Sequence, residues 1–233
     1  MGDAGGIVRR LAIYIPVALV LLYALSLWRS GGVKVACVGD SITFGSGAPP
    51  GWDYPSQLQR LLGRGYRVRN FGVSGATMLS HGNRPYVEQP AFAAALNWHP
   101  DVVILMLGAN DTKPVNWDAH GREFEPDCRA LIARLKASNP AMKLFLCRPS
   151  WIAGTGHYGI TEEGIAREIP ILDKIAVSMG LAEIDMHAAL LGHPEDLPDH
   201  VHPNRDGAAR LAAAACGAIK GAALSGPGSS QAP

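Results

Sequence analysis

Ser41, Asp199 and His202 are the residues whose types and spacing could carry nucleophilic chemistry. Ser41 lies in Val38-Gly39-Asp40-Ser41-Ile42-Thr43, at the end of a short apolar run from Val33 to Val38. A serine hydroxyl is a poor nucleophile until a base takes its proton, so it needs a histidine, an acid to orient that histidine, and donors for the oxyanion that forms. Asp199-His200-Val201-His202-Pro203-Asn204 offers the first two. Asp199 and His202 are three apart, and one helical turn would put them on the same side, where the carboxylate can hold the imidazole in the tautomer that accepts the Ser41 proton. His200 is an alternative base, but beside Asp199 it is expected to point elsewhere. Taken alone, Gly39-Asp40-Ser41 also reads as a turn with a helix N-cap.

The elements that must position these residues follow from hydrophobic periodicity. Val33 to Val38, Tyr66 to Phe71, Asp101 to Leu107, Met142 to Cys147 and Leu181 to Ile184 read as strands, and the unbroken DVVILML fits a central strand buried on both faces. Helical stripes lie between them: Tyr54, Leu58, Leu61 and Leu62; Pro90 to Trp98; Phe124, Cys128, Leu131, Ile132 and Leu135; and Ile165, Ile169, Leu172, Ile175 and Met179. Pro170 is expected to kink or divide the last of these. The stretch from Asp185 to Pro203 reads as a polar loop, and Asn204 can cap a final helix with Ala208, Leu211, Ala212, Ala215 and Ile219 on its buried face. Alternating strands and helices imply a parallel sheet with right-handed crossovers, so the loops after successive strands gather at one edge. Ser41, Gly75 and Asn110 follow the first, second and third strands, and Asp199 to Asn204 precede the last helix.

The chain has 233 residues, 48% of them hydrophobic, and a formal net charge of +1, which leaves no basic excess to attract nucleic acid. The 18-residue apolar run at 11–28 lies between Arg9-Arg10 and Arg29. At ~1.5 Å per residue it spans about 27 Å, close to a bilayer core of ~30 Å. It is expected to be an N-terminal transmembrane anchor that follows a basic segment at 1–10 and holds the domain outside the cytoplasm. The competing expectation is a cleaved signal sequence with Ala24-Leu25-Ser26 as the cleavage site, which would release the protein. Residues 225–233 are rich in Gly, Ser, Pro, Gln and Ala and read as a disordered tail. Cys37, Cys128, Cys147 and Cys216 all fall on strand or helix core positions, with no spacing that suggests a metal site. No metal or organic cofactor is expected.

Gly39-Asp40-Ser41, Gly75 within VSGAT, Gly108-Ala109-Asn110-Asp111 and Asp199 through His202 occur in the order of the four blocks of the SGNH, or GDSL-type, hydrolases, which the chain resembles from about Val33 to its final helix. The resemblance implies a hydrolase domain at 33–221 with a three-layer α/β/α, flavodoxin-like fold and a five-stranded parallel sheet in the order 2-1-3-4-5. It also implies Ser41 as nucleophile, His202 as base and Asp199 as its orienting acid, with an oxyanion hole from the backbone N–H groups of Ser41 and Gly75 and the side-chain amide of Asn110. In that strand order Cys37 and Cys147 would be about 10 Å apart at ~4.8 Å per strand, beyond the ~7 Å limit for a disulfide. Position 200 departs from the pattern, since relatives often carry a small residue there.

Asp40 and Asp111 adjoin the catalytic blocks and are expected to cap helices or tie loops. Trp117, Trp151, His157 and Tyr158, in the loops after the third and fourth strands, read either as the substrate mouth or as plain surface or packing residues. The linking segments GDSITFGSG, YPSQLQRLLG, NFGVSGATML, GANDTKPVNW and DHVHPN look most like sialate O-acetylesterase-like and carbohydrate acetylesterase members. They imply an esterase that removes short acyl groups, acetyl above all, from a carbohydrate. Neighbouring readings are a lysophospholipase or thioesterase acting on lipid, an acyltransferase using the same acyl-serine, and an idle binding module.

Overall fold

A computed structural model describes residues 31–224, so the apolar stretch 11–28, the basic segment 1–10 and the tail 225–233 lie outside the described residues. Among the described residues no helix is long and apolar enough to cross a membrane. The strands are β1 (Val33–Gly39), β2 (Tyr66–Gly72), β3 (Val102–Met106), β4 (Lys143–Arg148) and β5 (Ala182–Asp185). All pair in parallel, in the order β2-β1-β3-β4-β5. The helices are α1 (Ser41–Phe44), α2 (Tyr54–Leu62), α3 (Pro90–Asn97), α4 (Pro114–His120), α5 (Phe124–Ser138), α6 (Glu162–Met179), α7 (Met186–Leu190) and α8 (Arg205–Leu224).

Successive side chains of a strand face opposite sides, and here the two sides make two cores. Ala36, Val38, Val103, Leu105, Leu144 and Leu146 pack with α3, α5 and the Leu172, Ile175 and Ala176 stripe of α6. Val35, Cys37, Ile104, Phe145, Cys147 and Ile184 face the other way, onto α2, α7 and the Leu211, Ala215 and Ile219 face of α8. The result is three layers, α/β/α. All four cysteines are buried and free, and β3 separates the strands that carry Cys37 and Cys147.

The structure differs from the periodicity reading at three places. Of the two outcomes expected at Pro170, division does not occur: Pro170 stands inside a single α6. Pro170 and Ala166, whose carbonyl loses its helical donor, are both exposed, so water can serve that carbonyl in place of the missing N–H. The segment after Asn110 contains α4, which begins at Pro114, a residue suited to the first helical position. The loop after β5 contains α7, whose N-cap Asp185 accepts from Ala188 N–H at 2.8 Å. These two helices have seven and five residues, too short to display a stripe at helical spacing.

Candidate active site

β1 delivers Ser41 to the carboxyl edge of the sheet. At Gly39 an added Cβ would lie 2.5 Å from the carbonyl oxygen of Met106 and 2.1 Å from Thr43 Oγ1, so only glycine lets the turn press against β3 there. Asp40 then caps α1 by accepting from Ile42 N–H at 2.9 Å, and Ser41 is the first residue of that helix. Its N–H and that of Gly75 have no acceptor among the described residues.

Ser41 Oγ lies 2.8 Å from His202 Nε2, and His202 Nδ1 lies 2.7 Å from Asp199 Oδ2. Asp199 Oδ1 also accepts the N–H groups of His202 at 2.7 Å and Val201 at 3.1 Å. The two residues therefore meet through a tight turn of the kind an Asp side chain makes, not through the expected helical turn. That turn places His200 in the left-handed region, at a φ of +70°, which accounts for a small residue being suited to the position. His200 is exposed, and His202 alone reaches Ser41. Burial acts to raise the pKa of Asp199, but the hydrogen bonds from the His202 ring, His202 N–H and Val201 N–H outweigh it and lower the carboxyl to about 2. The carboxylate is thus ionised wherever the imidazole can act as a base.

Asn110 is buried, and its Nδ2 donates to Ala76 O at 3.2 Å and approaches Asp40 Oδ2 at 3.5 Å. Asn116 holds its main chain by donating to Asn110 O at 2.7 Å. Asp111 ties this loop to the one after β2, accepting from Leu79 N–H at 2.7 Å and Met78 N–H at 2.9 Å. Asp40 and Asp111 therefore cap and tie as expected. Burial raises them to about 6 and about 7 respectively, against the opposing pull of those backbone donors.

Ser41, Gly75, Asn110 and His202 line one cleft of about 190 Å³, with Ser46, Ser74, Lys113, Tyr158 and Ile160 completing its wall. Tyr158 and His157 stack with centroids 4.0 Å apart, and Tyr158 in turn covers His202. The two tryptophans are not at this mouth. Trp117, on α4, packs on the first core beside Phe124 with its ring under the Arg167 guanidinium, and Trp151 packs on the second core. Both fill the space between a connecting segment and the layer beneath it, as large aromatics usually do. Sequence reasoning missed Lys113, Ser46, Ser74 and Ile160. The first three lie within five residues of Ser41, Asn110 or Gly75, and that nearness was the available signal.

Such an arrangement can draw a proton from Ser41 onto His202, with Gly75 and Asn110 lining the same cleft. An acetylxylan esterase of Xylanibacter ruminicola is 38% identical over 219 residues, matching 82% of this chain and 44% of its own length. The chain therefore spans less than half of that relative. Among solved structures, an acetyl xylan esterase superposes with a TM-score of 0.64 at 25% identity, over 80% of this chain and 100% of the other. A catalytic mutant of an acetylxylan esterase from Geobacillus stearothermophilus gives a TM-score of 0.61 at 25% identity, over 81% and 94%. The model of the GDSL-like lipase/acylhydrolase family matches residues 37–210 and so takes in every loop of the cleft, and the chain belongs to that family.

Proposed function

We propose that this protein is a serine ester hydrolase that removes acetyl groups from a carbohydrate. The observation that carries the reading is the continuous hydrogen-bonded path Asp199–His202–Ser41, at 2.7 and 2.8 Å, opening on a cleft floored by Asn110 and the free N–H of Gly75. His202 Nε2 takes the hydroxyl proton as Ser41 Oγ bonds to the ester carbonyl carbon, and Asp199 stabilises the imidazolium. The carbonyl oxygen becomes an oxyanion facing Ser41 N–H, Gly75 N–H and Asn110 Nδ2. Collapse breaks the bond to the sugar oxygen, which leaves as alcohol with the proton from His202. Water then gives a proton to His202 and attacks the acyl-serine, so that acetate departs and Ser41 Oγ regains its proton.

The small size of the cleft and the polar groups on its wall support a short acyl group on a polar alcohol. At about 190 Å³ it is below the ~300 Å³ at which pockets for larger ligands begin. Ser46, Ser74 and Lys113 offer hydrogen bonds to hydroxyls, and Tyr158 offers a flat face to a sugar ring. Placement outside the cytoplasm, held by the apolar stretch 11–28, goes with a polymeric carbohydrate substrate. A reporter fused after residue 233 that is active only inside the cell would argue against that placement.

The test is hydrolysis of p-nitrophenyl acetate, butyrate and octanoate and of acetylated xylo-oligosaccharides by the full chain, beside Ser41→Ala. Acetate preference, acetate release from the sugar and loss of both in the variant are expected. Octanoate preference would move the substrate to lipids, and transfer to an added sugar faster than hydrolysis would make the protein a transferase.

A further inference from the structure

We propose that His81, His120 and Glu123 form a binding site for one zinc-type transition-metal dication, set on the outer side of the loop that braces Asn110. One ligand atom from each residue lies within 4.8 Å of the other two. Glu123 already turns one oxygen to each imidazole: Oε2 is 2.7 Å from His81 Nδ1, and Oε1 is 3.4 Å from His120 Nδ1. The two rings face each other with centroids 5.7 Å apart. A dication entering between them takes the Nδ1 lone pair of each neutral imidazole, whose ring proton then sits on Nε2, binds the carboxylate as well, and keeps water in its fourth position; any extra proton held by a charged ring leaves to solvent.

Two nitrogens and one carboxylate are a donor set that zinc and its neighbours accept, whereas magnesium and calcium prefer oxygen throughout. The surrounding charge favours a cation. Glu123 pairs with no lysine or arginine among the described residues, and Asp127 and Glu88 add negative potential at His81. The second cluster of such residues, His193, Glu195 and Asp196, differs on this point, because Arg210 already donates to Asp196 at 2.7 Å.

The local fold holds the ligands in place. Asp127 Oδ2 accepts Ser80 N–H at 2.7 Å and so fixes the residue before His81, while His120 ends α4 and Glu123 lies in the turn that follows. Bound metal would fasten the loop after β2 to the segment after α4, whose residues His81 and Glu123 are 42 apart in sequence. The loop after β2 is already joined to α4 itself by Asn83 and Asn116, and Asn116 holds Asn110. The metal is therefore a structural cross-link beside the oxyanion loop and has no part in the chemistry at Ser41. A ligand that binds only the folded state raises stability by mass action.

The experiment uses the full chain without a polyhistidine tag, stripped with chelator, then titrated with Zn²⁺ by calorimetry and followed by thermal unfolding. One zinc per chain and a Tm that rises with zinc but not with Mg²⁺ are expected. Co²⁺ should show tetrahedral visible absorption. His81→Ala and Glu123→Gln should each weaken zinc binding at least about tenfold, the loss that even outer partners of a metal site typically cause. His193→Ala should leave it unchanged. Absence of zinc binding by the wild-type chain would overturn the proposal, as would unchanged affinity in the double variant His81→Ala/Glu123→Gln. All the altered side chains are at least partly exposed, so the variants should fold, and their Tm without metal verifies this.

Discussion

Tyr158 leans over His202, with ring centroids 5.6 Å apart and planes inclined at 53°, while its hydroxyl stands 3.4 Å from Asp199 Oδ2. It does so at a φ of +56°, a strained conformation for a bulky residue, between Gly156 and Gly159, which also have positive φ. The residue is 53% exposed, so part of it is open to a ligand. Tyr158→Ala should raise KM for an acetylated oligosaccharide about 2- to 10-fold, the worth of a lost aromatic contact, and change kcat little. Tyr158→Phe should behave nearly as wild type, because the hydroxyl contact is long. Steady-state kinetics on an oligosaccharide and on p-nitrophenyl acetate separate these effects.

The proposed role of Asp199 is to orient and stabilise His202. Asp199→Asn removes the charge that stabilises the imidazolium and favours the wrong tautomer, and should lower kcat roughly 10⁴-fold with circular dichroism unchanged. His200→Ala should retain most of the activity, because His200 does not reach Ser41. His200→Gly should raise stability by up to about 1 kcal/mol by relieving a left-handed residue, partly offset by the chain entropy of glycine. Steady-state kinetics of Asp199→Asn and His200→Ala check the activities, and urea unfolding of His200→Gly checks its stability.

Asn110 tests the oxyanion site. Its carbonyl remains held by Asn116 when the side chain is cut back, so Asn110→Ala should leave the loop in place. Turnover should fall about 10²–10³-fold with KM little altered, the signature of a donor used mainly in the transition state. A rise in KM with unchanged kcat would give Asn110 a binding role instead.

Glu168 governs pH-dependent stability together with Asp40 and Asp111. Its carboxyl is fully buried beneath the loop at Gly108, neither oxygen has a hydrogen-bond partner, and burial together with the nearby Asp111 and Asp40 pushes its pKa well up. For such a group the unfolded chain releases its proton at lower pH than the folded chain, so the stability it contributes is full below the unfolded pKa of about 4. That contribution is lost as pH rises through the folded values, about 6 for Asp40 and about 7 for Asp111. Asp199 has the opposite sign: its contribution is present above about pH 4 and is lost as pH falls toward about 2. Stability should therefore peak in mild acid and decline toward pH 8. Glu168→Gln should decline less steeply, as measured by urea midpoints across that range; equal slopes would remove Glu168 from the effect.

The sheet and the reacting atoms were legible in the sequence for different reasons. β3 and the inner parts of β1 and β4 are continuous apolar runs that give way to glycine or polar residues, and the alternation inside Val102–Met106 divides between two cores as period two requires. Ser41 and Asn110 sit just past the ends of β1 and β3, and His202 in the connection from β5 to the last helix, so their convergence at one edge follows from parallel topology. What was not legible depends on backbone conformations of single residues. Asp199 meets His202 through a left-handed His200, and Tyr158 reaches the cleft from another left-handed position, neither of which leaves a periodic trace. Of the two readings of Trp117 the structure shows the packing one, because α4 turns that side chain onto the core, and a helix of seven residues is too short to reveal its buried face.

The most direct test of the central claim is rapid-quench mass spectrometry of the full chain mixed with p-nitrophenyl acetate. An acetyl adduct on the peptide that carries Ser41, formed at the rate of the p-nitrophenol burst and absent in Ser41→Ala, is the predicted result. An adduct on a different residue, or turnover that continues undiminished in Ser41→Ala, would contradict the account.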